Sequence, residues 1–261
     1  MSNLSVTWRR TAIAATVASF VIASSAVRAE DAEKPWERTI AVGISMVTGN
    51  TDSSLFNAAV KGEKIWKADE LRLGASGAYG KNDGDVATEV LLGFAQYKHL
   101  FSERWYGALT ADAIHDSIAN VEYRLTIGPA LGYFLIKKEM TRWTIEAGPS
   151  YVYEKTDVRH PNQPPGPTFV TSDDRGYLAA RFSERIEHKF SGNNAKVWQQ
   201  TDWLPQVDDF QNYLLISEAG IEAALTKAMS LRVVGTHRYD NRTDSQRHYD
   251  ITLVSALAYK F

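Results

Sequence analysis

Cysteine is missing from all 261 residues, which excludes disulfide frameworks, thiolate zinc sites, iron–sulfur clusters and cysteine nucleophiles. An excess of one charge sign is missing too, since 29 Lys and Arg stand against 31 Asp and Glu. With no global basic field, no nucleic-acid partner is expected. Past the N-terminus no long uncharged apolar run occurs, so a polytopic helical membrane protein is excluded. A disordered chain is excluded as well, because 44% of the residues are hydrophobic.

What is present begins with an address. Arg9 and Arg10 precede an uncharged stretch from Thr11 to Ala23, about the length of a signal-peptide core and short of the ~20 residues of a spanning helix. Val27-Arg28-Ala29 puts short residues where a signal peptidase reads. The expected organisation is a cleaved signal peptide over 1–29 and one barrel domain over 30–261. Cleavage leaves 26 cationic against 31 anionic residues. An exported chain without thiols must be held by something other than disulfides, and a closed hydrogen-bonded sheet suffices.

From Glu37 onward the period is two. In 249–261 one parity is Tyr249, Ile251, Leu253, Ser255, Leu257, Tyr259, Phe261 and the other Asp250, Thr252, Val254, Ala256, Ala258, Lys260. One face is bulky and apolar, the other small or charged. Twelve such segments are expected, over 37–48, 53–66, 70–81, 86–100, 104–115, 121–136, 142–155, 176–190, 195–204, 212–225, 229–239 and 248–261. Each accommodates a tilted spanning strand of about 9 to 11 residues. The expected fold is therefore all-β, an antiparallel transmembrane β-barrel of about 12 strands, with 10 to 14 compatible with the pattern.

The connections alternate in length. Odd ones such as 156–175, 205–211 and 240–247 are long, whereas even ones such as 67–69 and 101–103 are short, as in outer-membrane barrels. Aspartates gather at the odd connections and lysines at the even ends, a sorting that suits cation-bridged contact with lipopolysaccharide but equally reflects the preference of Asp for turns. Trp66, Trp105, Tyr106, Trp143, Tyr259 and Phe261 fall near one rim, and Tyr151, Tyr153, Trp203, Tyr239 and Tyr249 near the other. They are expected to form aromatic girdles at the two lipid interfaces. Outer-membrane lipids and lipopolysaccharide are the expected surroundings, and the C-terminal strand ending Tyr259-Lys260-Phe261 is expected to engage the outer-membrane assembly machinery.

Several ordered motifs carry a resemblance. Gly49-Asn50-Thr51-Asp52, Tyr79-Gly80-Lys81-Asn82-Asp83-Gly84, Ser102-Glu103-Arg104-Trp105-Tyr106 and 123–133 are followed by Glu146-Ala147-Gly148-Pro149-Ser150-Tyr151, Trp203-Leu204-Pro205 and 217–222. Together they resemble the salt-induced outer-membrane protein family, domain of unknown function 481, over nearly the whole mature chain. The resemblance implies an outer-membrane β-barrel of unestablished biochemical role in a Gram-negative envelope. The Pro-rich stretch 160–167 is longer than the family pattern.

With the bulky parity facing lipid, the opposite parity encloses Lys61, Glu63, Arg72, Glu89, Asp112, Glu122, Arg124, Glu146, Glu218, Glu222, Arg232 and Arg238. Such mixed charges either line a narrow pore or pair across it and close it. A narrow or gated passive channel for ions and small solutes is the expected role, with weak charge selectivity. A structural or loop-mediated binding protein, reaching out through 156–175, is the alternative. A lipid-modifying enzyme is the weaker competitor. His115-Asp116-Ser117, His188 with Glu187, and Ser217 are its candidate groups, but adjacency along a strand does not orient a nucleophile and its base. No catalytic residue, cofactor or metal ligand is expected. A soluble calycin-like barrel would carry the same periodicity with the two faces exchanged.

Overall fold

The computed structural model describes residues 36–47, 53–117, 119–159, 170–190, 192, 194–241 and 249–261. The expected signal peptide and the whole Pro-rich stretch lie outside these residues. Twelve strands follow in chain order: β1 Glu37–Val47, β2 Ser53–Trp66, β3 Asp69–Asn82, β4 Asp85–Leu100, β5 Trp105–Asp116, β6 Val121–Lys137, β7 Thr141–Arg159, β8 Val170–Lys189, β9 Ala195–Pro205, β10 Tyr213–Ala224, β11 Met229–Asp240 and β12 Tyr249–Lys260. Each pairs antiparallel with its neighbours in sequence, and β1 pairs with β12, so the sheet closes on itself. Closure gives every strand a neighbour on both sides.

Local chemistry sets the turns. Asp83 and Gly84 both have positive φ, 50° and 89°, which makes the two-residue β3–β4 connection a hairpin turn whose twist matches the flanking strands. The even connections 67–68, 101–104, 138–140, 190–194 and 225–228 share one end with both strand termini of the ring, here named the turn end. The odd connections share the opposite, loop end. The 20-residue connection expected at 156–175 is a correction: β7 runs on to Arg159 and β8 starts at Val170, the two pairing through Arg159↔Val170. Charged and polar residues extend a hairpin as readily as apolar ones once the strands stand in water, so the alternation used to find strands fades before the strands do.

The bulky parity faces out. Ile44, Leu91, Ile127, Leu131, Leu178, Ile251 and Leu253 are all more than half exposed, a coat that only hydrocarbon solvates favourably. The coat is interrupted where Glu184, Thr201, Ser217 and His237 stand in one register row across β8 to β11; Glu184 there accepts a hydrogen bond from Trp143 Nε1 at 2.7 Å. The enclosed parity buries small apolar groups, such as Val152, Ala179, Leu204 and Leu214 near the loop end, among many charged ones. Among the described residues no helix is long and apolar enough to cross a membrane.

Candidate functional site

The site is the interior of the ring. Its residues are placed by alternation alone: inward side chains of adjacent strands stack in rows, so each charge meets the charges opposite it in register. Lys61, Glu63, Arg72, Asp112, Arg124, Glu146, Glu218, Glu222, Arg232 and Arg238 all stand on the enclosed parity. Two expected members do not. Glu89 is opposite Tyr79 and, two residues from Leu91 in an unbroken stretch of β4, shares its outward face. Glu122 sits at a bulge, between Val121 and Tyr123, and meets Lys155 Nζ at 2.7 Å. A bulge inserts one residue and turns the next side chain to the other face.

At the loop end, opposite walls are tied together. Arg124 on β6 donates from Nη2 to Asp240 Oδ2 on β11 at 2.7 Å, and Arg238 on β11 stands 3.7 Å from Asp116 on β5. Glu154 is fully buried between Arg124 and Arg175, at 2.5 and 2.6 Å. Twelve strands about 4.8 Å apart and tilted about 40° would enclose a circle roughly 24 Å across between opposite backbones. An arginine and an aspartate laid end to end fall well short of that. The ring is therefore drawn in at this level, with β5 and β6 approaching β11.

Midway, Arg181 donates through Nε and Nη2 to Asp202 Oδ1 at 3.0 and 2.8 Å, with Asp112 3.8 Å away. Glu146 accepts from Tyr106 Oη at 2.9 Å and pairs with Lys98 Nζ at 2.8 Å. Tyr106 is thus a second correction: placed in the girdle by its sequence position, it is wholly buried inside the wall against Phe134. The other expected girdle residues remain at the outer face. Trp105 tilts against Tyr133, Trp203 stacks on Phe182, Tyr239 on Tyr213 and Tyr259 on Phe261. Tyr151 and Tyr249 are about half exposed, Tyr153 faces Tyr123, and Trp66 lies beneath Lys64.

Toward the turn end the interior widens into a cavity of about 780 Å³. Among the described residues its walls carry Lys61, Arg72, Lys98, Arg142, Arg185, Lys189, Lys196, Lys227 and Lys260 against Glu37, Glu63, Glu70, Glu187 and Glu222, nine cations to five carboxylates. Glu222 is the most heavily shared of these, reached by Arg232 at 3.0 Å, Lys260 at 3.7 Å and Lys196 at 3.9 Å. Sequence reasoning missed Arg181, Arg185, Glu187, Lys196 and Asp202, although each continues the alternation of β8 or β9. The same parity rule applied through those two strands finds them.

The groups considered for catalysis are dispersed. Residues two apart on a strand share a face, and Ser117 Oγ does lie 3.0 Å from His115 Nε2. The third partner, however, is the main-chain carbonyl of Glu122, 2.6 Å from Nδ1, which lacks the charge that stabilises an imidazolium. His188 is bonded to Thr141 Oγ1 at 2.8 Å and Ser217 to Thr201 at 3.1 Å. Among the described residues no group of His, Asp or Glu has the arrangement of a metal site.

Comparison with known proteins places this barrel as follows. Residues 40–261 match the family described as protein of unknown function, DUF481. No functionally curated protein matches the chain. Among solved structures, a KdgM porin in complex with disordered oligogalacturonate is 9% identical, with a TM-score of 0.47 over 85% of this chain and 99% of that one. The translocator domain of the autotransporter NalP from Neisseria meningitidis is 12% identical, with a TM-score of 0.45 over 87% of each chain.

Proposed function

The chain belongs to the family of proteins of unknown function DUF481, and from the interior of its barrel we propose a narrow, ion-pair-gated passive channel for ions and small solutes in the outer membrane of a Gram-negative bacterium. The observation that carries this reading is the pair of ties between opposite walls, Arg124 to Asp240 and Arg238 to Asp116, standing above a wide polar cavity. A barrel needed only as a rigid anchor gains nothing from a polar chamber of this size closed on one side by charges. A channel gains a gate.

The physics of the gate is that of an enclosed ion pair. Each partner satisfies the other while the walls are close. Removing Asp240 leaves Arg124 with Glu154 on its own wall, and removing Asp116 takes from Arg238 its partner across the ring, so each loss unties one wall from the other. Neutralising Asp116 and Asp240 together, as Asn, is therefore expected to release both ties and open the loop end. In planar bilayers the wild-type barrel should give small, infrequent steps, and the double variant larger or longer ones. Silent bilayers from correctly folded protein of both kinds would remove the channel reading, leaving attachment or scaffolding as the role. No reaction is assigned to the barrel.

A further inference from the structure

Four cations in the turn-end cavity face one another from opposite sides. Lys61 on β2 and Arg72 on β3 stand six strands round the ring from Arg185 on β8 and Lys196 on β9. All four line the same cavity and so share one confined space. Glu70 lies 4.0 Å from Arg72 and Glu222 3.9 Å from Lys196, and the excess of positive charge belongs to the cavity walls as a whole. Glu63 is 3.4 Å from Lys61 and 3.8 Å from Arg72, and Glu187 is 3.2 Å from Arg185. Each wall repeats one pattern, a cation and a glutamate two residues apart with a further cation on the next strand. Arg72 Nε is buried without a hydrogen-bond partner.

Like charges pressed together in a confined polar space repel strongly, and a buried guanidinium N–H left idle costs free energy of its own. Both deficits are relieved by one kind of guest. A dianion with its charges at its two ends places one carboxylate between Lys61 and Arg72 and the other between Arg185 and Lys196. We infer that the turn-end cavity is a binding site for small organic polycarboxylates, held between these two cation pairs. The inference deepens the channel reading by naming the solute class, and with the short turns toward the periplasm, as in outer-membrane barrels, the site lies on that side. A compact anion such as inorganic phosphate reaches one wall only, and a monocarboxylate such as acetate satisfies a single pair.

The test separates binding from conduction. Isothermal titration of the detergent-folded wild-type barrel with citrate, succinate, inorganic phosphate and acetate at constant ionic strength should show saturable citrate and succinate binding, and weaker or no binding of the other two. Arg72→Gln combined with Arg185→Gln should weaken citrate binding about tenfold or more, as expected for lost charge-assisted hydrogen bonds. Lys137→Gln combined with Lys138→Gln, an equal loss of charge at exposed positions outside the cavity, should not. Lys61→Gln alone serves if the double variant fails to show the mobility of a folded barrel. Equal heats for all four anions, or citrate binding indifferent to the cavity variants, would overturn the site. Citrate binding with silent bilayers supports the site and removes the channel. Conduction without citrate binding or block retains the channel and overturns the site.

Discussion

Three interior aromatic rings are laid flat over glycines on the neighbouring strand: Phe94 over Gly74, Tyr106 over Gly132 and Trp198 over Gly220. A Cβ at any of these glycines would lie 2.2 or 2.3 Å from the ring. Only a residue without a side chain lets the ring lie along the wall instead of blocking the interior. The rings in turn hold charges, since Trp198 Nε1 donates to Glu218 at 2.7 Å and its face carries Lys196 and Arg232. Gly220→Val is therefore expected to destabilise the barrel by about 1–3 kcal/mol, the usual cost of overpacking, and to displace Trp198 toward the axis. Urea unfolding followed by tryptophan fluorescence measures both. The misplacement of Tyr106 has a simple origin: Trp105 and Tyr106 are consecutive, consecutive strand residues face opposite sides, and so both could not belong to one girdle. Glu89 was legible by the same rule, since it stands two residues from the outward Leu91, whereas Glu122 was not, because a bulge leaves no mark in the alternation of side chains.

Every strand was legible to within a few residues except β7 and β8, and these differ for a physical reason. A strand is recognised by the contrast between its two faces, and that contrast is imposed by lipid on one side. Where a hairpin projects into water both faces become polar, so 156–159 and 170–175 read as a connection although they pair. The hairpins also differ in how far they are zipped. β1 pairs with β2 along its whole length, whereas with β12 its register covers only Thr39↔Lys260 to Val42↔Leu257. Local opening follows hydrogen-bond continuity. Amide hydrogen exchange is thus expected first along the facing edges of β1 and β12 beyond that register, 43–47 and 249–256, and last in the β7–β8 hairpin. Uniform protection round the ring would contradict this ranking.

The whole molecule inverts the pattern of a water-soluble protein, with charges enclosed and aliphatic side chains outward. It also closes without disulfides, so its integrity rests on the hydrogen-bonded ring and not on covalent links. The chain is accordingly expected in outer-membrane fractions, and in semi-native gels the unboiled protein should run ahead of the boiled one. Identical mobilities, or recovery in the periplasmic soluble fraction, would favour the inverted, calycin-like arrangement. The sign of the two faces was the one global property that periodicity left open, because alternation is symmetric under exchange of inside and outside. The interior pairing across strands distant in sequence, such as Arg124 with Asp240, was equally invisible, since it depends on how the ring is flattened.

That flattening has a geometric corollary. Strand number and tilt fix the circumference of the ring, and for a given circumference an ellipse always encloses less area than a circle. If the salt links along the short axis let go, the tube can round out and gain aperture while presenting the same perimeter to the surrounding lipid. Opening of this kind costs the bilayer no expansion and requires no moving lid; it is a change of shape with the wall left whole.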